Sequence, residues 1–140
     1  MGIEIEIDKL ELKDEALLAR LMVYYKALSQ TKEGAVSLSK PLAEAIYACN
    51  PKRRSMKLEQ IFNTVLDQYP DNVIVKDIDV LFNPEYQVDV LKILTETYKR
   101  KKYSVIWPGT KEEGRLIYSE NGYPDYKVYE IKDYDITCII

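Results

Sequence analysis

The sequence predicts one α/β domain of three layers, with helices packed over a mainly parallel sheet. Between residues 35 and 107, short apolar runs typical of strands alternate with stretches whose apolar residues recur at helical spacing. This alternation favours parallel strands joined by right-handed crossovers. The chain has 140 residues, of which 46% are apolar, and this is enough for a single core. We find neither an internal repeat nor a linker, so residues 1–140 are predicted to be one domain.

Apolar runs and period-two alternation predict the strands. In the first of them, apolar and acidic residues alternate, so residues 1–12 are expected to be an edge strand or a mobile end. The turn signals Asn121-Gly122 and Pro124-Asp125 separate two of the later strands. The predicted strands are residues 3–7, 35–38, 73–76, 103–107, 115–118, 127–131 and 136–140.

Apolar residues at helical spacing predict the helices. In the first helix, an apolar stripe runs from Leu17 to Leu28 with no glycine or proline to interrupt it. Ser39 and Asn83 each precede a first turn that contains proline, and both are expected to be N-caps. The predicted helices are residues 14–30, 39–49, 55–69 and 83–100.

The composition narrows the classes of function. The chain has a net charge of −3 and no histidine, so it lacks the usual general base and the commonest metal ligand. Cys49 and Cys138 are too few for a disulfide framework or a four-cysteine zinc site. The acidic amino terminus is unlike a signal peptide, and no apolar run approaches the roughly 20 residues of a membrane span. A cytoplasmic protein without a membrane partner is expected.

Residues 72–82 contain the main candidate site. An apolar strand ends in Asp77 and Asp79, at the edge where open α/β sheets place their ligands. Two carboxylates at this spacing share one face of a strand and are suited to binding nucleotide or magnesium, or to positioning a water molecule. The alternative is an acidic strand end that faces solvent and begins a turn. Trp107, at the end of the next strand, is a sensor-like candidate, and its alternative is a packing anchor.

Two basic clusters stand out in this acidic chain. Lys52, Arg53 and Arg54 are candidate contacts for phosphates, for an acidic partner or, as an arginine finger, for a neighbouring subunit. Residues 99–102 are most simply a favourable charge run at a helix carboxyl terminus. The sequence contains no G-x-x-x-x-G-K-[ST] motif, which is the phosphate cradle of P-loop NTPases.

Several short segments occur in an order that points to a known family. They are VSL at 36–38, SKPL at 39–42, PKRR at 51–54, DIDVLFNPE at 77–85, WPG at 107–109, GRLIY at 114–118 and GYPDY at 122–126. With this set the chain resembles the small P-loop-containing subunit of type 3 BREX phage-exclusion systems. The resemblance implies a P-loop NTPase fold and a part in antiviral defence within a multiprotein system.

The chain departs from that family near its amino terminus. Such subunits would carry a strand and a phosphate loop between the first helix and the strand at Val36, whereas here the predicted helix continues through this region. The sequence therefore predicts a P-loop NTPase-like domain without its first βα unit. Another strand or a second subunit is expected to fill the gap, because an open apolar edge favours pairing.

The leading prediction is an accessory or assembly subunit of a bacterial or archaeal phage-exclusion system that does not hydrolyse nucleotide alone. No cofactor is expected, and Mg-ATP would bind only if a partner or an unrecognised loop completed the site. Expected partners are other defence proteins and a second copy of the chain. The alternatives are an ATPase subunit completed by a partner, and a nucleic-acid-binding module using Arg53, Arg54 and residues 99–102.

Overall fold

The computed structural model describes residues 2–6, 19–25 and 34–140. In this part of the chain the strands are β1 (Ile3–Ile5), β2 (Leu21–Tyr24), β3 (Ala35–Ser37), β4 (Val73–Lys76), β5 (Tyr103–Ile106), β6 (Thr110–Glu112), β7 (Arg115–Tyr118), β8 (Lys127–Glu130) and β9 (Ile136–Ile139). The α-helices are α1 (Ser39–Ala48), α2 (Arg54–Leu66) and α3 (Val90–Arg100).

The strands form two sheets. Six of them make a sheet in the order β1-β9-β2-β5-β4-β3, and every neighbouring pair in it is parallel. The other three make a small antiparallel sheet in the order β6-β7-β8. The prediction of an α/β fold with a mainly parallel sheet is confirmed. The strand at Ile3–Ile5 lies at the edge of the large sheet, whereas residues 1 and 7–12 lie outside the described residues.

The predicted helix at 14–30 is wrong at its centre. Leu21–Tyr24 form strand β2, which is buried along its whole length between β9 and β5. A strand in the middle of a parallel sheet is covered on both faces, so its residues are all apolar and periodicity cannot separate it from a helical stripe. Residues 14–18 and 26–30 lie outside the described residues. The sheet therefore has a central strand where none was predicted.

The register of β2 assigns its side chains to two faces. Val23 aligns with Val105 of β5 and Cys138 of β9, and all three belong to the main core. Met22 and Tyr24 point the other way and form a second, smaller buried cluster with Ile139. Helix α2 packs between α1 and α3, and α3 contacts β2. The central strand therefore contributes to cores on both sides of the sheet.

The helix predicted at 83–100 begins later than expected. Asn83 does act as a cap, since its side chain accepts a 3.0 Å hydrogen bond from the Glu85 amide, but it caps only a short 3₁₀ turn at Pro84–Tyr86. Gln87 then adopts a left-handed conformation with φ of 49°. Helix α3 is capped instead by Asp89, whose carboxylate accepts from the Lys92 amide at 3.1 Å. The chain thus turns once more before the helix starts.

The remaining predicted elements differ from the structure mainly at their ends, since α2 ends at Leu66 and not at residue 69, and β6 is a strand that the sequence did not predict. Helix α1 begins at Ser39, so the residue in the N-cap position is Leu38, which has no side-chain capping bond. The predicted cap at Ser39 is therefore wrong. Strands β5, β8 and β9 each end one residue before the predicted boundary. No helix among the described residues is long and apolar enough to cross a membrane.

The strand at the centre of the sheet can be tested by shortening one side chain. Val23 is fully buried, and we expect Val23→Ala to lower the free energy of unfolding by about 2 kcal/mol through lost burial and a new cavity. The control is Val128→Ala, because Val128 lies on an exposed strand position with 41% of its surface accessible. Urea unfolding measures both. If both variants lose the same small amount of unfolding free energy, the strand assignment is contradicted. Such a result would favour a helix, in which Val23 lies outside the apolar stripe.

Candidate functional site at the carboxyl edge of the parallel sheet

The sheet brings the ends of β4 and β5 to the same edge. Val75 pairs with Val105, so Asp77 and Trp107, each two residues further on, leave the sheet side by side. The connection from β2 runs towards β3, whereas the chain leaving β5 crosses to β9 on the other side of β2. Ligands of open α/β sheets bind at the carboxyl edge where the connections from neighbouring strands run in opposite directions. This edge is therefore the place to look for a site.

The two candidate acids do not share a strand face. Strand β4 ends at Lys76, and both acids follow it. Asp77 is exposed and adopts a left-handed conformation with φ of 58°. Asp79 opens a 3₁₀ turn that extends to Phe82. The alternative that the sequence left open, an acidic strand end that begins a turn, describes the local backbone.

Asp79 is held by a tyrosine from the second sheet. The hydroxyl of Tyr118 donates to its Oδ2 at 3.0 Å. Burial raises the pKa of Tyr118, and the nearby carboxylates of Asp79 and Asp125 raise it further. The phenol therefore keeps its proton at neutral pH and remains a donor. An ion at Asp79 would compete with this hydrogen bond.

An aromatic cluster joins the two sheets beside these acids. Phe82, at the end of the 3₁₀ turn, stacks on Tyr118 with ring centroids 3.9 Å apart and planes 9° from parallel. Trp107 meets Phe82 edge-on at 5.6 Å and Tyr129 at 5.7 Å. Aromatic pairs in these geometries stabilise a structure beyond the area they bury. The cluster fixes the antiparallel sheet against the carboxyl edge.

Trp107 is joined to both sheets by hydrogen bonds. Its side chain is 4% exposed, and Nε1 donates to the carbonyl oxygens of Ile117 at 3.0 Å and Thr110 at 3.2 Å. Its amide donates to the carbonyl of Tyr24 at 2.9 Å, which extends the pairing of β5 with β2. Gly109 follows at a point where a Cβ atom would overlap the Ile117 carbonyl. Trp107 thus anchors the fold, and its role as a sensor stays a prediction.

The basic cluster at residues 52–54 divides into two parts. Arg54 is committed to structure, since its Nε donates to the carbonyls of Ile46 at 2.9 Å and Cys49 at 3.2 Å, and its guanidinium lies over the Tyr47 ring. It thereby satisfies carbonyls at the end of α1. Lys52 and Arg53 lie exposed in a 3₁₀ turn and make no ion pair with a described residue. They remain available for a partner.

The cations of the second basic cluster, residues 99–102, contact neighbouring acidic and aromatic side chains. Lys99 pairs with Glu96, Arg100 with Asp67, and Lys101 with Asp71, at 3.1, 2.8 and 3.0 Å. Lys102 lies over the Tyr98 ring with Nζ 4.1 Å from the centroid. This arrangement agrees with a charge run that stabilises a helix end.

The residues that sequence reasoning missed are the tyrosines that reach the acids. Tyr118 contacts Asp79, and in the same way the Tyr134 hydroxyl donates to the Asp89 carboxylate at 2.7 Å. Each pair joins positions far apart in the sequence, so no local motif could reveal it. Among the described residues, no group of three or more His, Cys, Asp or Glu side chains could hold a metal ion.

Comparisons with known proteins leave the family open. No protein-family model matches the chain, and neither a curated protein nor a solved structure matches it. The resemblance to a phage-exclusion subunit therefore stays a prediction from its ordered segments.

The contact between Tyr118 and Asp79 can be tested by removing one hydroxyl. Tyr118→Phe keeps the ring stacked on Phe82 and should lower the free energy of unfolding by about 1 kcal/mol, because Asp79 loses its donor but stays in contact with water. Tyr123→Phe is the matched control, since Tyr123 is 61% exposed, and it should have no effect. Chemical denaturation at pH 7 measures both. A loss of several kcal/mol for Tyr118→Phe would mean that the ring has moved.

The buried phenols predict a loss of stability in alkali. The pKa values of Tyr103, Tyr118 and Tyr129 are all raised above 10.0, mainly by burial. A raised pKa gives stability that is complete below the unfolded value and is lost as pH rises towards the folded value. The urea midpoint should therefore fall steeply above about pH 10. Cys138, whose pKa burial raises to about 11, adds to this decline from about pH 9.

A single variant isolates the contribution of Tyr118 to the alkaline decline. In Tyr118→Phe the fall in urea midpoint between pH 9 and pH 11 should be shallower than in the wild type, whereas Tyr123→Phe should follow the wild type. Parallel curves for all three proteins would show that Tyr118 titrates as it does in the unfolded chain.

Proposed function

We propose that this protein is a P-loop NTPase-like assembly subunit of a bacterial or archaeal phage-exclusion system, and that it does not hydrolyse nucleotide by itself. The observation that carries the proposal is the connection between β2 and β3. It consists of residues 25–34, ten in all, and contains one glycine and no Gly-Lys-Ser or Gly-Lys-Thr. A P-loop needs an eight-residue cradle followed by a helix whose N-terminus faces the phosphates.

This connection is too short for both, because an eight-residue cradle would leave only two residues, less than one helical turn. From β2 it passes β5 and β4 to reach β3, which is three strand spacings or about 14 Å. Because β3 is parallel to β2, the chain must also return along about 13 Å of strand. Ten residues span at most about 36 Å when fully extended. The two strand ends are thus separated by about 19 Å, roughly half of that reach.

The acids support a role without hydrolysis. In P-loop NTPases an acid at the end of a strand holds the magnesium that bridges the β- and γ-phosphates. Here the Asp79 carboxylate accepts from Tyr118, and the backbone of Asp77 turns away from the strand. The sequence contains no Walker A motif that would add a phosphate-binding loop and its lysine to these two carboxylates. We therefore expect this domain to act as a subunit of an assembly and not as a nucleotide hydrolase.

The defence role rests on the ordered segments of the resemblance. Three of them meet in the fold, because Phe82, Trp107 and Tyr118 come from different segments and form one aromatic cluster. Segments that are distant in sequence and packed together in space are expected of one shared domain. This supports the proposal that the segments mark a common structure.

A second candidate is an ATPase subunit whose site is completed by a partner. One observation favours it, since Asp77 is exposed at the carboxyl edge and makes no hydrogen bond with a described residue. The nucleic-acid alternative is less well supported, because Arg54 and residues 99–101 are engaged within the protein.

A phage challenge separates the two candidates. Cells carrying the chain with its neighbouring genes should lose protection when the chain is deleted and regain it with the wild type. We expect Asp77→Ala and Asp79→Asn to restore protection within about twofold of the wild type, because an assembly subunit needs no magnesium ligand. A loss of protection equal to deletion, with both variants folded and present at normal levels, would favour the partner-completed ATPase. If deletion of the chain leaves the plating efficiency of the phage unchanged, the proposed role in defence is wrong.

A further inference from the structure

A groove separates the outer faces of α1 and α2. It has a volume of about 550 Å³ and opens to solvent. The apolar part of its lining, which we call the floor, includes Ala45 and Ala48 of α1 and Ile61 of α2. The two helices pack through larger buried residues beneath, such as Leu42 and Phe62. The alanines leave the upper part of the helix interface unfilled.

The rim of this groove is positively charged. Arg53 and Lys57 line it, and Lys52 stands next to Arg53 in the same 3₁₀ turn. No carboxylate of the described residues forms an ion pair with these three cations. This contrasts with the basic run at the end of α3, where three cations have acidic partners. The charge at the groove is therefore unmatched within the described chain.

Two exposed apolar residues are sequence neighbours of residues that line this groove. Met56 is 76% exposed and Tyr47 is 74% exposed, the two highest values among the large hydrophobic residues of the described chain. Each is next to a groove-lining residue, Met56 to Lys57 and Tyr47 to Ala48. The Tyr47 ring is held by the guanidinium of Arg54. Aromatic residues and methionine are enriched at protein interfaces.

We propose that this groove binds an acidic amphipathic helix of a partner protein. The apolar face of that helix would lie on Ala48 and Ile61, and its carboxylates would meet Arg53 and Lys57. The wall from Lys57 to Thr64 is roughly 10 Å long, which suits about two helical turns. Nucleic acid fits less well, because its phosphates gain nothing from an apolar floor. The inference rests on the proposed function in one respect only, namely that an assembly subunit would use this groove to bind another protein of the complex.

The test uses a designed probe. A short fluorescent helical peptide carries leucine at helical anchor positions and glutamate on its polar face, and a matched peptide carries lysine instead of glutamate. Fluorescence anisotropy measures affinity, and amide shifts in nuclear magnetic resonance locate the binding face. The glutamate peptide should shift the signals of Ala45, Ala48 and Ile61. Lys57→Glu should weaken its binding by about tenfold or more through charge reversal.

Two further variants make the result specific. Ala48→Trp fills the groove from an exposed position and should weaken binding as much as Lys57→Glu does. Lys132→Glu makes the same charge change at an exposed site elsewhere and should leave binding unchanged. Circular dichroism checks that each variant is folded.

Several outcomes would overturn the proposal. They are no binding of the glutamate peptide at millimolar concentration, equal binding by Lys57→Glu and wild type, and tighter binding of the lysine peptide or of single-stranded DNA. None of these measurements involves nucleotide or phage, so the groove can fail while the proposed function stands. Conversely, a failed phage challenge leaves the peptide result intact.

Discussion

Strand β2 is paired along both of its edges, and the arrangement of the other elements follows from this pairing. The strand is hydrogen-bonded to β5 and β9, and this pairing continues past its end, where the Tyr25 amide donates to the Ile139 carbonyl at 2.8 Å. Its side chains contribute to cores on both faces of the sheet. Once β2 is fixed in the centre, the next strand in sequence lies at the far edge. Only ten residues, 25–34, join these two strands, and they contain no P-loop motif.

The small antiparallel sheet packs against the carboxyl edge of the large sheet. Trp107 continues β5, bonds back to β2 and donates through its indole to the antiparallel sheet. The aromatic cluster then brings Tyr118 to Asp79. The same packing that holds the two sheets together thus engages one of the acids that a nucleotide site would use.

On the helical side of the molecule, α1 and α2 leave open a groove that has an apolar floor and basic residues in its lining. This groove, and not the sheet edge, is the recognition surface that we propose.

The sequence was informative where local chemistry decides the structure. Val73–Lys76 and Arg115–Tyr118 occupy the predicted residues, because an apolar run bounded by turn signals leaves little choice. Leu21–Tyr24 was misread, since a strand buried on both faces has no period of its own. The start of α3 was misplaced because Asn83 and Asp89 are both good caps, and only the left-handed turn at Gln87 decides between them. At the site, the positions of Asp77 and Trp107 at one edge follow from parallel topology. The contact of Asp79 with Tyr118 does not, because tertiary packing over 39 positions creates it.

Isothermal titration of the purified protein with Mg-ATP up to millimolar concentration would show whether the carboxyl edge binds nucleotide. The ten residues that join β2 to β3 contain no P-loop motif, so we expect no heat of binding. A dissociation constant below about 100 μM, which corresponds to about −5.5 kcal/mol, would contradict it. Such a result would mean that the carboxyl edge holds a phosphate site after all.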